Sequence, residues 1–402
     1  MILHDVEVEG RRVDVRISGG RIAEIADRLA DDGVDDVDGY GGALLPGLHD
    51  HHVHLLATAA ARASVDCSAT LEPLRDLVGE GWIRGTGAAE SVDRHVLDGL
   101  VPERPARVQH RSGALWMLNS AALRAVAHVL DDSADVERGP DGEPTGRLWR
   151  YDERLRPALP DAVPDLTELG EELLGYGITS VTEATPGLTA LPGPLPVGVT
   201  FLGRRKLLLR DHDLPSFDDF ATTISETHAE GLPVAVHCVT RESLLLTLAV
   251  LDEVGRLPGD RIEHASVVPD PGLLQDLHVV TQPAFVTTRG DSYRRDVDPD
   301  DLPHLYRYAS LLEAGVATYP SSDAPYGPLD PWEVIVAAAS RDLGPTERVT
   351  PRVALAGYLT DARFRPRRIA VGAPADVVLL ECSLEEALAA PDSGFVRHTW
   401  TS

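Results

Sequence analysis

The sequence has one lysine. Of its 37 basic residues, Lys206 is the only lysine and every other is arginine. Cysteine is nearly as scarce: Cys67, Cys238 and Cys382 are odd in number and far apart, which excludes a disulfide framework and fits a reducing compartment. Long apolar runs are missing too. The stretch Leu244 to Leu251 is too short to cross a bilayer, so no membrane partner is expected. The N-terminus shows neither a basic segment nor an apolar core of the secretory kind, and the expected address is the cytoplasm. Positive charge is also short, with 37 basic against 64 acidic residues and a net charge of -27. That argues against a nucleic-acid partner, which needs clustered basic surface. It leaves a small anionic substrate open, because a bound metal can reverse the local field.

What is present reads as an ordinary globular chain, long enough for one large barrel with an accessory domain or for two or three smaller domains. Val6 and Val8, Val13, Val15 and Ile17, then Ile22 and Ile25 alternate around Glu9-Gly10 and Gly19-Gly20, the pattern of a small antiparallel unit. From Gly47 to about residue 366, short apolar strands alternate with helical stretches, as in parallel βαβ units. Strands are expected at Gly177–Ala184, Lys206–Arg210, Pro233–Val239, Arg261–Val268, Val279–Phe285 and Val316–Pro320. Helices are expected at Arg241–Val254 and Leu302–Ala314. Arg156–Pro164 and Thr185–Gly198 read as loops. Ala375–Leu380 returns to strand character and is expected to complete the small N-terminal sheet.

The densest chemical feature is His49-Asp50-His51-His52-Val53-His54. Residues two apart on a strand share a face, so His52 and His54 can present two imidazoles to one ion. A polar loop in a chain of 15 histidines would read the same way. His237, His264 and Asp323 each follow an apolar strand, where barrel enzymes place their catalytic groups. One such histidine is usually structural; three such endings beside the first pair point to a metal site. A barrel allots about 31 residues to each of its eight units. Lys206, His237, His264 and Asp323 fit strands 4, 5, 6 and 8, with His54 closing strand 1. Strands 2, 3 and 7 are then expected at Ala106–His110, Ile178–Glu183 and Val279–Gln282, with extra loops between His54 and Lys206.

Lys206 stands where the chain's habit of using arginine fails. A guanidinium stays charged, whereas a desolvated lysine amine can become neutral and react. With carbon dioxide it forms a carbamate, which acts as a carboxylate able to bridge two metals. The competing reading is a codon that escaped a compositional bias.

These segments together resemble the amidohydrolase superfamily. Leu45-Pro46-Gly47 leading to Asp50 and His52-Val53-His54 resembles its first-strand motif. Its family 3 branch is resembled by Gly81-Trp82-Ile83-Arg84-Gly85, Arg111-Ser112-Gly113, Leu118-Asn119-Ser120, Gly142-Glu143-Pro144-Thr145-Gly146, Gly177-Ile178-Thr179-Ser180-Val181, Arg261-Ile262-Glu263-His264, Ser322-Asp323-Ala324-Pro325 and Gly372-Ala373-Pro374-Ala375-Asp376. The resemblance implies an α/β fold, a distorted (β/α)8 TIM barrel at 47–366 beside a small β-sandwich made from 1–46 and 367–402. It implies two divalent metal ions, taken as zinc. His52 and His54 would hold the first and His237 and His264 the second, with N6-carboxylysine at Lys206 between them and Asp323 completing the first site. The chain is shorter than many members, so part of the usual substrate-covering insertion is expected to be missing. His49 and His51 are extra imidazoles, expected to be structural or solvent-facing.

The implied chemistry is hydrolysis of an amide, cyclic amide or N-acyl C–N bond, with Asp323 moving the proton. A mononuclear deaminase and a lactone or phosphoester hydrolase are the alternatives on the same scaffold; a non-catalytic descendant should have lost ligands. The partner is a small-molecule substrate, and a homo-oligomer is left open. Trp82, His110, Arg111, Trp116, Glu183, Gln282 and Tyr293 fall near expected strand ends or loops and are candidate substrate contacts. Ordinary core or lid packing competes for each aromatic. Trp82 and Trp116 hint at an apolar or aryl group beside the scissile bond.

Overall fold

The alternating N-terminal residues form β1 (Ile2–Val8), β2 (Arg11–Ser18) and β3 (Arg21–Ala26), antiparallel and joined at Gly10 and at Gly19-Gly20. Positive φ at these glycines suits the tight turns. β4 (Asp36–Asp38) lies parallel to β1. In this computed structural model residues 1–30, 36–160 and 164–402 are described. They divide into two units, Met1–Leu55 with Leu166–Ser402, and Leu56–Asp165.

In the first unit, β5 (Leu44–Pro46) turns through Gly47 into β6 (Leu48–Val53). A Cβ on Gly47 would stand 2.2 Å from the Thr179 side chain, so the next strand approaches only because this position has none. That explains the glycine in the Leu45-Pro46-Gly47 motif. Seven further strands follow β6 in the same direction: β7 (Ile178–Glu183), β8 (Gly198–Phe201), β9 (Lys206–Leu208), β10 (Ala235–Cys238), β11 (Arg261–His264), β12 (His278–Thr281) and β13 (Ala317–Pro320). They form two parallel sheets, β8-β7-β6 and β9-β10-β11-β12-β13. Strand pairing does not join these sheets into one closed ring. Just beyond the strand ends, Asp323 N donates to His52 O and His54 N to Ala324 O, both at 2.9 Å, so the tails of β6 and β13 are tied together.

The expected order of the first strands needs correction. Ile178–Glu183 pairs directly with β6, and Gly198–Phe201 comes next. Ala106–His110 is a strand, but it belongs to the second unit. Only a short 3-10 turn, Gly203–Arg205, separates β8 from β9, so the assumption of a helix after each strand fails there. The expected helix over 302–314 is also divided, into a 3-10 turn at Leu302–His304 and a helix at Tyr308–Glu313. The loop expected at 156–164 includes a 3-10 turn at Arg156–Ala158, and its residues 161–163 lie outside the described residues.

The helix Arg241–Val254 matches its expected span. Thr240 and Ser243 form its capping box, and Gly255 ends it at φ +91°. Leu244, Leu248 and Leu251 recur on one face and join Val236, Ile262 and Val279 of the sheet in a buried cluster. Each such side chain contributes roughly 1.5–3 kcal/mol by leaving water. The strand ends above this cluster are therefore fixed by packing.

β14 (Val377–Leu380) pairs antiparallel with β5 and with β15 (Val396–Trp400), forming a sheet of its own rather than extending β1–β3. The two terminal sheets share one core, in which Leu3, Val15 and Ile22 meet Leu44, Val377 and Leu379.

The second unit is built on a six-stranded sheet, in order Val136–Arg138, Pro144–Trp149, Leu115–Leu118, Ala106–His110, Ile83–Ala88 and Val65–Asp66. Its pairing is mixed, parallel only among the last three strands. The stretch expected to supply extra loops thus carries a sheet and core of its own. Among the described residues, no helix is long and apolar enough to cross a membrane.

Candidate metal centre

The parallel strands bring six side chains to one place, five of them from C-terminal ends and Lys206 from the start of its strand. β6 carries His52 and leads to His54. Lys206 opens β9, His237 lies on β10, His264 ends β11, and Asp323 follows β13. One donor atom from each of His52, His54 and Asp323 lies within 4.8 Å of the others, a group able to hold a metal ion. Asp323 Oδ1 is 3.3 Å from His54 Nε2 and 3.4 Å from His52 Nε2. It is buried and accepts no hydrogen bond among the described residues. Buried oxygens normally find a donor; an oxygen converging with imidazole nitrogens but bonding none of them fits a cation between them.

The imidazoles are oriented from behind. His52 Nδ1 pairs with Glu263 Oε2, and Arg261 Nε donates to Glu263 Oε1. His264 Nδ1 donates to Gln282 Oε1 at 2.8 Å, and Gln282 Nε2 donates to Ser321 Oγ at 2.9 Å. His54 Nδ1 lies 3.0 Å from Thr185 Oγ1. An Nδ1–H held by an acceptor leaves Nε2 as a lone pair, the form that binds metal. Burial, aided by Lys206, pushes His52 down to about 3; burial also takes His264 to about 4. Burial would raise Asp323, but His52, His54 and His264 hold it below the usual carboxylate range.

Lys206 is buried, with Nζ 3.4 Å from His52 Nε2 and 4.0 Å from Glu263 Oε2. Burial lowers its amine to about 8, partly opposed by Glu263 and Asp323. His264 Nδ1 lies 3.8 Å from Asp323 Oδ2. The His237 and His264 rings stand 4.5 Å apart edge to face. His264 and Asp323 both have left-handed backbone, φ +68° and +50°. For residues with a side chain that costs roughly 1–3 kcal/mol, strain concentrated here at strand ends.

Glu263 received no role of its own from sequence reasoning. The available signal was a carboxylate inside a fully buried strand, one residue before His264, which must be paired to be tolerated. Arg261, Lys206 and His52 keep it ionised against its burial. Glu263→Gln should weaken metal affinity about 10- to 100-fold, the usual cost of losing the group behind a histidine ligand. Competition with a chromophoric chelator measures it, and unchanged affinity would remove Glu263 from the account.

The candidate substrate contacts separate. Gln282 is buried and occupied by His264 and Ser321. Glu183 is buried and accepts the Leu55 and Thr185 amides, each at 2.7 Å, which steadies the residue after His54 and the threonine that meets His54 Nδ1. Tyr293 shares a 3.2 Å hydroxyl contact with Tyr306. Trp82, His110, Arg111 and Trp116 lie in the second unit. There Trp116 Nε1 donates to Asp152 at 2.7 Å, and the Arg107 guanidinium sits 4.8 Å over its ring. His110 Nδ1 is 2.8 Å from Ser112 Oγ.

His49 and His51 are buried and structural, not solvent-facing. His51 Nε2 is 2.8 Å from Thr360 Oγ1, and its ring stacks on Phe364. His49 lies between Ser180 Oγ at 2.8 Å and Thr182 Oγ1 at 2.9 Å. Burial, with Arg367 and Arg261 nearby, lowers His49 from 6.5 to about 3. The unfolded chain binds this proton first, so its stability contribution is complete above pH 6.5 and is lost as pH falls toward 3. The slope is about 1.4 kcal/mol per pH unit. Urea unfolding of His49→Asn should therefore show a shallower loss between pH 7 and 5 than the parent; equal slopes would contradict this.

Two solved structures share this parallel α/β fold. A metal-dependent hydrolase of Pyrococcus furiosus matches with a TM-score of 0.71 and 22% identity, over 94% of this chain and 98% of that one. One of Pyrococcus horikoshii OT3 gives 0.72 and 21%, over 99% of each. The sequence profile of the amidohydrolase family matches residues 36–402, and the chain belongs to that family. YtcJ of Bacillus subtilis (strain 168), named as an amidohydrolase, is 26% identical over 395 residues, covering 75% of this chain and 74% of YtcJ. The N-substituted formamide deformylase of Arthrobacter pascens is 32% identical over 163 residues, 33% of this chain and 30% of that protein.

Proposed function

We propose that this chain is a metal-dependent hydrolase of a carbon–nitrogen bond, in an amide, cyclic amide or N-acyl compound. The observation that carries the reading is the convergence of His52, His54 and an Asp323 Oδ1 that accepts no hydrogen bond among the described residues. His52, His54 and Asp323 would hold one divalent ion and His237 and His264 a second, with Lys206 carboxylated on Nζ between them. Imidazole and carboxylate donors suit zinc. When bound, the ions supply Lewis acidity and a water that ionises near neutral pH.

The chain's own residues do the rest. Neutral Lys206 Nζ attacks the carbon of carbon dioxide, an N–C bond forms, one C=O electron pair moves to oxygen, and a proton is released. Burial supports this by keeping much of the amine neutral near its lowered value of about 8. Asp323 accepts the proton of the attacking water and returns it to the leaving nitrogen. Glu263 and Gln282 keep His52 and His264 in the ligating tautomer.

The eight parallel strands of the first unit, taken in chain order, support a distorted (β/α)8 barrel spanning 47–366, with residues 56–165 as an insertion in its sequence. The shared core of the terminal sheets supports a β-sandwich built from 1–46 and 367–402. The mononuclear deaminase reading has one observation in its favour: His52, His54 and Asp323 alone converge as a metal-holding group among the described residues.

The related deformylase makes N-substituted formamides the first substrates to test, beside N-acyl amino acids and cyclic amides. Dialysis against a chelator should lower turnover by at least about 100-fold, and zinc should restore it. Undiminished activity in protein shown to be metal-free would end this reading.

A further inference from the structure

A second feature lies at the N-terminal ends of β9 to β12. A cavity of about 460 Å³ opens there, lined in part by Arg205 just before β9, Arg261 at the start of β11, Arg363, Thr182, Thr200 and Phe364. Along β11 about 10 Å of strand separates Arg261 from His264, while on β9 Arg205 directly precedes Lys206 and Arg261 reaches Glu263 behind His52, so the cavity backs onto the candidate metal centre from the other end of the strands. The volume is that of a small-molecule site.

Its charge runs against that of the chain. The protein carries 64 acidic and 37 basic residues, yet three arginines and no carboxylate line this cavity. Arg205 is half-buried and donates Nε to Pro233 O at 2.7 Å, and neither it nor Arg363 pairs with a carboxylate among the described residues. Arg261 has one carboxylate, Glu263, which it shares with His52. With so many acids available elsewhere, guanidinium groups left unpaired around a hollow mark a place for an external anion. A guanidinium matches carboxylate or phosphate oxygens two at a time. Phe364 adds an aromatic wall beside His278, the two rings stacked with centroids 4.2 Å apart.

We propose that this cavity is a second binding site, distinct from the metal centre, for a small organic oxyanion. Arg205 and Arg363 take its carboxylate or phosphate, and Phe364 packs against its carbon skeleton. The site does not depend on the hydrolase reading.

Calorimetric titration of the full chain with its metal retained tests it. Benzoate probes charge with a ring and inorganic phosphate probes charge alone. Benzoate should bind saturably at one site per chain. In Arg205→Gln/Arg363→Gln its Kd should rise at least tenfold, with the thermal midpoint retained; in His54→Ala it should be unchanged. No saturable binding of either anion overturns the proposal, and so does equal benzoate affinity in the double variant. Loss of binding in His54→Ala alone moves the anion to the metal centre. Phosphate binding tighter than benzoate overturns the organic part of the assignment.

Discussion

Asp323→Asn should lower kcat/KM by about 10³-fold while metal content stays near that of the parent, a loss of about 4 kcal/mol of transition-state stabilisation. The geometry separates the two roles of this residue. Asp323 Oδ1 faces His54 Nε2 at 3.3 Å and His52 Nε2 at 3.4 Å without a hydrogen bond, so an amide oxygen in the same place can still act as a donor atom. What an amide cannot do is accept a proton from water and hand it to a leaving nitrogen. Burial alone would favour the protonated acid, yet the surrounding imidazoles keep Asp323 ionised, which is the state a base requires. Steady-state kinetics with metal analysis on the same preparation checks this. Activity within tenfold of the parent, at normal metal content, would remove the proton-shuttle role.

The second large effect is expected from Lys206→Arg. It keeps the charge and changes the chemistry, because a guanidinium is neither neutral nor nucleophilic at accessible pH. The position is buried, with His52 Nε2 3.4 Å from the amine and Glu263 beside it, so the variant also places a larger permanent cation against two groups that orient the centre. Bound metal should fall from two ions to one per chain, and turnover by about 100-fold, the upper end of the loss seen when a group supporting a metal site is removed. Carbamate formation is reversible, so parent protein held under carbon-dioxide-free gas should lose metal in the same direction and regain it with bicarbonate. Normal stoichiometry and activity in the arginine variant would leave the family membership standing and end the two-metal proposal.

How much of this could be read from the sequence depended on how local each signal was. His52 and His54 stood out because two-residue spacing at the end of an apolar strand is a local pattern, and Lys206 because composition isolated it. His237, His264 and Asp323 followed from strand-end placement, which needs only a short apolar run before them. Gly198–Phe201 was hidden: four residues after a proline- and glycine-rich loop carry no alternation, and no helix separates them from Lys206. Ala106–His110 looked like any strand, because nothing in its composition says which sheet it joins. The pairing of Leu44–Pro46 with Val377–Leu380 bridges more than 300 residues and is set by the shared core, which no window of sequence contains. Glu263 sat inside a recognised motif, but its work is done on His52, a partner distant in sequence. Local chemistry was therefore legible, while the partners that orient it were set by topology.

The central claim is a two-metal centre held by histidines, Asp323 and a carboxylated lysine. The most direct test is metal analysis of protein prepared in bicarbonate, joined to a high-resolution crystal structure of the same sample. The account predicts two divalent ions per chain and three additional atoms of density beyond Lys206 Nζ. One ion per chain with a bare amine at Lys206 would contradict it.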